Sequence, residues 1–301
     1  MSLDFDTRFE PAHGEAVPVA PGVLRVTAAN PSAFTFTGTN SYVVGRETLA
    51  VIDPGPQDAA HLTALKAAIG GRPVSHIFVS HTHRDHSPLA RPLAEETGAT
   101  VVAEGPHRAA RPLHIGETNP LDAAADTDFA PDLALADEAV VAGDGWALRG
   151  LHTPGHAANH MVFALEGTDI LFSADHVMAW ATSIVAPPDG AMSDYMASLD
   201  RLIARGGGLY LPGHGGPLTD PVPFMRGLRT HRRMRERAIL ARLAAGDRTI
   251  PAMVQAIYRD TDPRLHGAAG LSVLAHLEDL VARGAARAEG PPALNAVFLP
   301  G

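Results

Sequence analysis

Apolar and polar positions near the start of the chain follow a strand-like period. Val17, Val19, Val23, Leu24 and Val26 sit among prolines and polar residues in an extended stretch, which predicts short edge strands. Two more strands are expected over 40–45 and 49–53, the second halted by Asp53-Pro54-Gly55-Pro56. The pattern then lengthens: 57–69 reads as a helix closed by Gly70-Gly71, and 89–97 as another closed by Gly98. Between and after them, 74–80 and 100–103 read as buried strands. Strands alternating with helices predict an α/β fold. No fixed period repeats along the chain, which excludes solenoids and propellers.

The C-terminal part has a different rhythm. Residues 222–245, 250–258 and 268–283 read as helices, and Gly246 and Gly284 close the first and third. Leu271, Leu274, Leu277, Leu280 and Val281 form an apolar stripe at helical spacing. Strands at 285–288 and 295–299, joined through Glu289-Gly290-Pro291-Pro292, complete a wing. Two units are expected, 1–220 and 221–301. A DNA reader is not: the third helix offers His276, Glu278, Asp279 and Arg283, too few donors for bases and phosphates, so duplex DNA is excluded as a partner.

Composition narrows the setting. At 46% hydrophobic residues the chain can bury a core, and no apolar stretch approaches the roughly 18 residues of a membrane span, so no membrane partner is expected. Asp4, Asp6 and Glu10 interrupt any signal-peptide pattern, which makes the cytoplasm the expected location. The lack of cysteine excludes disulfides and thiolate ligands, leaving N and O donors for any metal. Charge is unevenly spread. Residues 221–301 hold 12 arginines against 7 acids, and seven of those arginines lie between Arg226 and Arg242. They make either a solvated helix face or a rim that steers an anion.

The strongest chemical signal is His81-Thr82-His83-Arg84-Asp85-His86, directly after the apolar run Ile77-Phe78-Val79. Three imidazoles and a carboxylate crowded beside a buried strand are costly unless a cation satisfies them. Four ligands are too few for a metal pair, so partners must come from elsewhere. His156 at the turn Thr153-Pro154-Gly155-His156, Asp175 after the run 170–174, and His214 at Pro212-Gly213-His214 are the candidates. Each lies at a turn or a strand end, where a rigid sheet can hold a ligand in place.

With these pieces in this order, the chain resembles the metallo-β-lactamase superfamily over roughly residues 35–220. The resemblance implies a four-layer αββα sandwich with two metals between the sheet edges. It assigns His81, His83 and His156 to the first metal and Asp85, His86 and His214 to the second, with Asp175 bridging. Asn30-Pro31, Gly38-Thr39-Asn40-Ser41-Tyr42, Ile52-Asp53-Pro54-Gly55 and, after the last ligand, His231-Arg232 with Arg235-Glu236 and Ile239-Leu240 resemble the branch of β-lactamase-like protein 2. That branch carries a C-terminal winged-helix-like domain, as expected here for 221–301.

The expected activity is metal-assisted hydrolysis by a metal-bound hydroxide, with two zinc ions per chain and iron or manganese as alternatives. Two cations lower the pKa of a shared water to about 7, and Asp85 is the residue expected to orient it. Asp53, after a buried strand, is expected to hydrogen-bond a ligand rather than to be one. His160, His231 and Arg232 are candidate substrate contacts, although His231 also fits a packed position on its helix; His176 should point away from the metals. The acidic, aperiodic stretch 117–138 is either an exposed insertion or a loop flanking the cleft. The resemblance suggests cleavage of phosphodiesters in short single-stranded RNA. The ligand set fits thioesters, as in hydroxyacylglutathione hydrolase, or lactones equally well, and an iron-dependent oxygenase is a further alternative. Against RNA stand an acidic catalytic unit and a chain only 5% aromatic. A small anionic substrate is the other expected partner, and a homodimer the expected assembly.

Overall fold

The computed structural model describes residues 3–115, 117, 119 and 122–301. Seven strands form a first sheet in chain order: β1 Val17–Ala20, β2 Val23–Thr27, β3 Asn40–Gly45, β4 Leu49–Ile52, β5 Val74–Phe78, β6 Thr100–Ala103 and β7 Leu133–Ala134. Pairing is antiparallel up to β4 and parallel from β4 to β7. Parallel neighbours need a crossover, and helices α1 Ala59–Ile69 and α2 Ala90–Thr97 supply the first two. The Asp58 carboxylate accepts from the amides of Ala60 and His61, so α1 starts at Ala59 and leaves Gln57 outside.

The second sheet contains β8 Val140–Gly143, β9 Trp146–His152, β10 Met161–Leu165, β11 Ile170–Ala174, β12 Leu209–Pro212 and β13 Leu218–Thr219, side by side from β13 to β8 in reverse order. Helix α3 Met192–Arg205 carries the chain across from β11 to the parallel β12. Strands β8 to β10 and helix α3 have no counterpart among the elements expected from the sequence. Two-residue periodicity sends alternate side chains to opposite faces. Tyr42, Ile52 and Phe78 of the first sheet therefore meet Leu148, Phe163 and Phe172 of the second. Their neighbours Val43, Val51 and Ile77 pack outward on Leu65 and Leu93 of α1 and α2. On the far side Val162, Leu171 and Tyr210 pack on Tyr195, Leu199 and Leu202 of α3. The result is the expected four-layer αββα sandwich.

Helix α4 Pro221–Ala244 follows, then α5 Ile250–Ile257, α6 His266–Ala282 and the antiparallel pair β14 Ala286–Ala288 and β15 Phe298–Pro300. The wing strands sit slightly later than expected because Ala286 pairs with Pro300 and Ala288 with Phe298. Helix α4 is about 36 Å long at 1.5 Å per residue. Its first half places Met225 and Leu228 in the core beneath α3, and its second half places Ile239 and Leu243 in a separate C-terminal core with Leu274 and Leu277. Among the described residues no helix is long and apolar enough to cross a membrane.

Within the acidic stretch, residues 118, 120 and 121 lie outside the described part. Beyond them Ala125 bridges to His83 of the histidine-rich loop, the Asp126 amide donates to the Thr82 carbonyl at 2.7 Å, and β7 returns the chain to the first sheet.

Candidate metal centre

Four strand ends converge. Strand β10 is antiparallel to both β9 and β11, so β9, β11 and the parallel β12 all run in one direction and finish at the same edge. His156, Asp175 and His214 follow those three ends, and the histidine-rich loop follows β5 of the facing sheet. The structure brings all seven residues together. His83 Nδ1 lies 2.9 Å from both His81 Nε2 and His156 Nε2. Asp85 Oδ2 lies 3.3 Å from His86 Nε2 and 3.2 Å from His214 Nε2. Asp175 stands between the two groups, with Oδ1 3.5 Å from His86 Nε2, and Oδ2 3.3 Å from His214 Nε2 and 3.6 Å from His156 Nε2.

The outer nitrogens explain why the inner ones are poised as ligands. Asp53 Oδ2 accepts from His86 Nδ1 at 3.0 Å, the Ile184 carbonyl from His156 Nδ1 at 2.7 Å, and the Gly38 carbonyl from His214 Nδ1 at 3.2 Å. An oxygen acceptor on Nδ1 fixes the proton there and leaves a lone pair on Nε2. Asp53, expected to hydrogen-bond a ligand, contacts His86 in this way and is itself held by the Ser80 amide and hydroxyl, each at 2.7 Å. Two atoms at the centre, His86 Nε2 and Asp175 Oδ1, are buried without a hydrogen-bond partner. Such orphans are rare in a folded protein and fit a cation held between them.

Electrostatics agree. Burial pushes His83 down to about 3, with the His156 ring adding to the effect, and burial with the neighbouring imidazoles holds His81 well below the usual histidine range. Burial also opposes charge on Asp85 and Asp175. The facing His86 and His214 outweigh it and hold both carboxyls well below the usual range. In turn the carboxylates overcome burial at His214 and lift it to about 9, and they lift His86 well above its ordinary value. This end of the cluster attracts positive charge, which protons or a metal ion can supply.

Two glycines make room for the cluster. A Cβ on Gly213 would sit 2.5 Å from Asp175 Oδ1 and 2.8 Å from His86 Cε1. At Gly155 it would strike the Tyr195 backbone at 2.3 Å, and the backbone there has φ +139°. The Pro-Gly-His turns therefore use glycine for space as well as for turning. Ala174, immediately before Asp175, has φ 43°, a left-handed conformation that a non-glycine residue holds only under local constraint.

The profile described as Metallo-beta-lactamase superfamily matches residues 34–214. The chain belongs to this superfamily. With the family comes the class, a metal-dependent hydrolase carrying a His/Asp metal-binding cluster. A second profile, Beta-lactamase associated winged helix domain, matches residues 249–291. The chain is 30% identical over 279 residues to the Beta-lactamase-like protein 2 homolog of Drosophila melanogaster, covering 88% of this chain and 89% of that one. It is 29% identical over 255 residues to an atrochrysone carboxyl ACP thioesterase of Aspergillus terreus, covering 82% and 71%. In fold it matches the crystal structure of a beta-lactamase domain protein from Burkholderia ambifaria, with a TM-score of 0.79 at 22% identity over 99% of this chain and 97% of that one.

The superfamily cluster opens into a cavity of about 620 Å³. Asp85, Asp175, His83, His156 and His214 line its floor, and Phe34, Met178, Trp180 and Ile184 its walls. Leu265, Ala268 and Leu271, at the start of α6, close it from the C-terminal unit, and Ala124 of the acidic stretch borders it. Among the described lining residues the one arginine or lysine is Arg84, whose Nε donates to the Ala125 carbonyl at 2.8 Å.

Three candidate substrate contacts lie elsewhere. His160 is buried behind the cluster, with Nδ1 3.0 Å from Thr153 Oγ1 and Nε2 accepting from the Asp175 amide at 3.3 Å. Arg232 is 4% exposed and donates to the Ser183 carbonyl. His231 is half-buried on α4 and does not line the cavity. His176 is buried against Tyr195, with ring centroids 4.6 Å apart, and so points away as expected. Three supporting groups were not expected from the sequence: Thr39, whose hydroxyl donates to Asp85 Oδ2 at 3.2 Å, and Gly38 and Ile184, which act through their carbonyls. A backbone carbonyl leaves no signature in residue type. Thr39 lies in the Gly38-Thr39-Asn40 stretch, but nothing local links it to Asp85.

Proposed function

We propose that this hydrolase holds two zinc ions and cleaves an acyl bond, a thioester or ester, in a small substrate with an apolar acyl part and an anionic end. His81, His83 and His156 would hold one ion, and Asp85, His86 and His214 the other, with Asp175 between them. Bound there, zinc supplies Lewis acidity toward a carbonyl oxygen and a water acidified to about pKa 7. The chain's own groups do the rest. Thr39 orients Asp85 on the floor, the apolar walls exclude bulk water, and Arg84 at the mouth receives the anion.

The observation that carries the reading is the cavity wall. It is built from Phe34, Met178, Trp180, Ile184, Leu265 and Leu271, with one cation among the described residues. Such a lining suits a hydrocarbon or aromatic acyl group and offers little to a chain of phosphates. Several arginines of the basic run are engaged elsewhere: Arg229 pairs with Asp200 at 2.7 Å, Arg232 is buried, and Arg235 lies over Tyr258 with its guanidinium carbon 4.6 Å from the ring centre; Arg226, Arg233 and Arg237 are exposed on α4 and do not line the cavity. The likeness to a named thioesterase points the same way. The proposed setting is the cytoplasm, in keeping with a chain free of cysteine.

The test is a parallel assay of acyl thioesters, lactones and labelled single-stranded RNA, with His83→Ala as control. Thioester or ester turnover that disappears in the variant is the expected result. RNA cleavage that also disappears, with acyl substrates untouched, would sink the acyl reading. Elemental analysis checks the metal count: close to two zinc ions per wild-type chain, and at least one fewer in Asp175→Ala. Equal, substoichiometric zinc in both proteins would sink the dinuclear centre.

A further inference from the structure

We propose that Arg232 of α4 is a positioning residue through which the C-terminal helices hold the metal centre in shape. The inference rests on the metal reading above. It starts from an oddity: Arg232 is 4% exposed, has no carboxylate partner among the described residues, and leaves its buried Nε unpartnered. A buried cation without an anion is expensive to keep unless its hydrogen bonds matter.

Those bonds lead to the centre in two steps. Arg232 Nη2 donates to the Ser183 carbonyl. The hydroxyl of the same Ser183 donates to the Asp175 carbonyl and, at 2.8 Å, to the His176 carbonyl. The next carbonyl, that of Ile184, accepts from His156 Nδ1 at 2.7 Å. The segment from Asp175 to Ile184 thus closes on itself, and its closing point sets both the Asp175 backbone and the His156 ring. Arg232 grips that point from the neighbouring helix. Its guanidinium carbon lies 5.0 Å from the centre of the Tyr195 ring, and the Tyr195 hydroxyl donates to the His176 carbonyl at 3.3 Å. A long contact of 3.5 Å from Arg232 Nη1 to Ser272 Oγ reaches α6, next to the cavity residue Leu271.

Arginine suits the place because a planar, always charged fork can grip a carbonyl while stacking on an aromatic ring. Glutamine keeps one donor but loses the stacked charge, and lysine keeps the charge on a flexible stem. Arg232 does not line the cavity, so any effect of replacing it is indirect, carried by Ser183 and Ile184, by Tyr195, or by Ser272 on α6.

The experiment compares wild type, Arg232→Lys, Arg232→Gln, Ser183→Ala and Ser272→Ala. Each is loaded with zinc and titrated with a chromophoric chelator, alongside thermal melts and steady-state kinetics on the acyl substrate. Arg232→Gln and Ser183→Ala should lose zinc about 10- to 100-fold more readily, the range seen when a group supporting a ligand is removed. Their kcat should fall while KM stays within twofold; Arg232→Lys should recover part of the loss and Ser272→Ala should match wild type. Wild-type zinc retention and kcat in both Arg232→Gln and Ser183→Ala would overturn the role. If Arg232→Gln fails to fold, Arg232→Lys decides, since it keeps the charge but removes the planar fork that grips the Ser183 carbonyl; wild-type zinc retention and kcat in that variant would overturn the role. A wild-type protein that takes up no zinc would overturn the metal reading, and this inference with it.

Discussion

An added methyl at Gly213 would meet Asp175 Oδ1 and His86 Cε1 at distances real Cβ atoms do not show, so something at the centre would have to move. Gly213→Ala is therefore expected to lose at least one zinc ion and about 100-fold or more in kcat, because displacements near 1 Å at a reacting centre cost that much. Elemental analysis and single-substrate kinetics would check it, and full zinc with wild-type kcat would refute the crowding. The seven candidate ligands were legible from the sequence because imidazoles and carboxylates massed at strand ends are too costly to bury as mere packing. The crowding at Gly213 was not legible, since it depends on Asp175 and His86, which lie 38 and 127 residues away. For Arg232 the residue type was legible and its direction was not. One residue of rotation on a helix separates a cavity wall from a core, and no local pattern reaches across the 49 residues to its partner Ser183.

Elements show where pattern is enough and where it fails. Strands β3 to β6 and the helices that cross over them follow hydrophobic period and glycine punctuation closely, with boundaries shifted by a residue or two at caps such as Asp58. Strands β8 and β9 were hidden because Ala, Gly and Val over 139–150 carry weak alternation, and pairing in the sheet decides their state. On α4 the basic run suggested an anion rim, but helix packing directs Arg229, Arg235 and Arg232 to Asp200, Tyr258 and the buried Ser183 carbonyl, and none of the run lines the cavity. In the proposed function anion recognition falls instead to Arg84, on the loop between the candidate ligands His83 and Asp85. Arg84→Gln is expected to raise KM for an anionic acyl substrate about 10-fold, a modest effect because the side chain is exposed, with kcat within twofold. Arg229→Gln with Arg233→Gln should leave KM and its salt dependence unchanged. A reversed pattern in the two variants would return substrate steering to α4.

At the scale of the molecule, the C-terminal core carries a pH dependence of its own. Burial, reinforced by the Arg232 guanidinium, pushes His276 down to about 3, whereas an unfolded histidine titrates near 6.5. The unfolded chain therefore binds the proton first. The stability tied to this group is fully present above about pH 6.5 and is lost as pH falls toward about 3, on the order of 1 kcal/mol of it by about pH 5.5. Thermal melts should fall in Tm across that window, and His276→Phe should fall less. An equal slope in both proteins would assign the acid sensitivity to His61, His176 and His231, which burial also lowers. The wall that α6 contributes to the cavity has a different consequence, one for how such proteins diversify. Chemistry is written in the first 214 residues, while the outer wall of the cavity is written near 265–271. Changes in that short, late stretch can retune which substrate fits without replacing a single candidate ligand, so the reaction can be inherited intact while its clientele drifts.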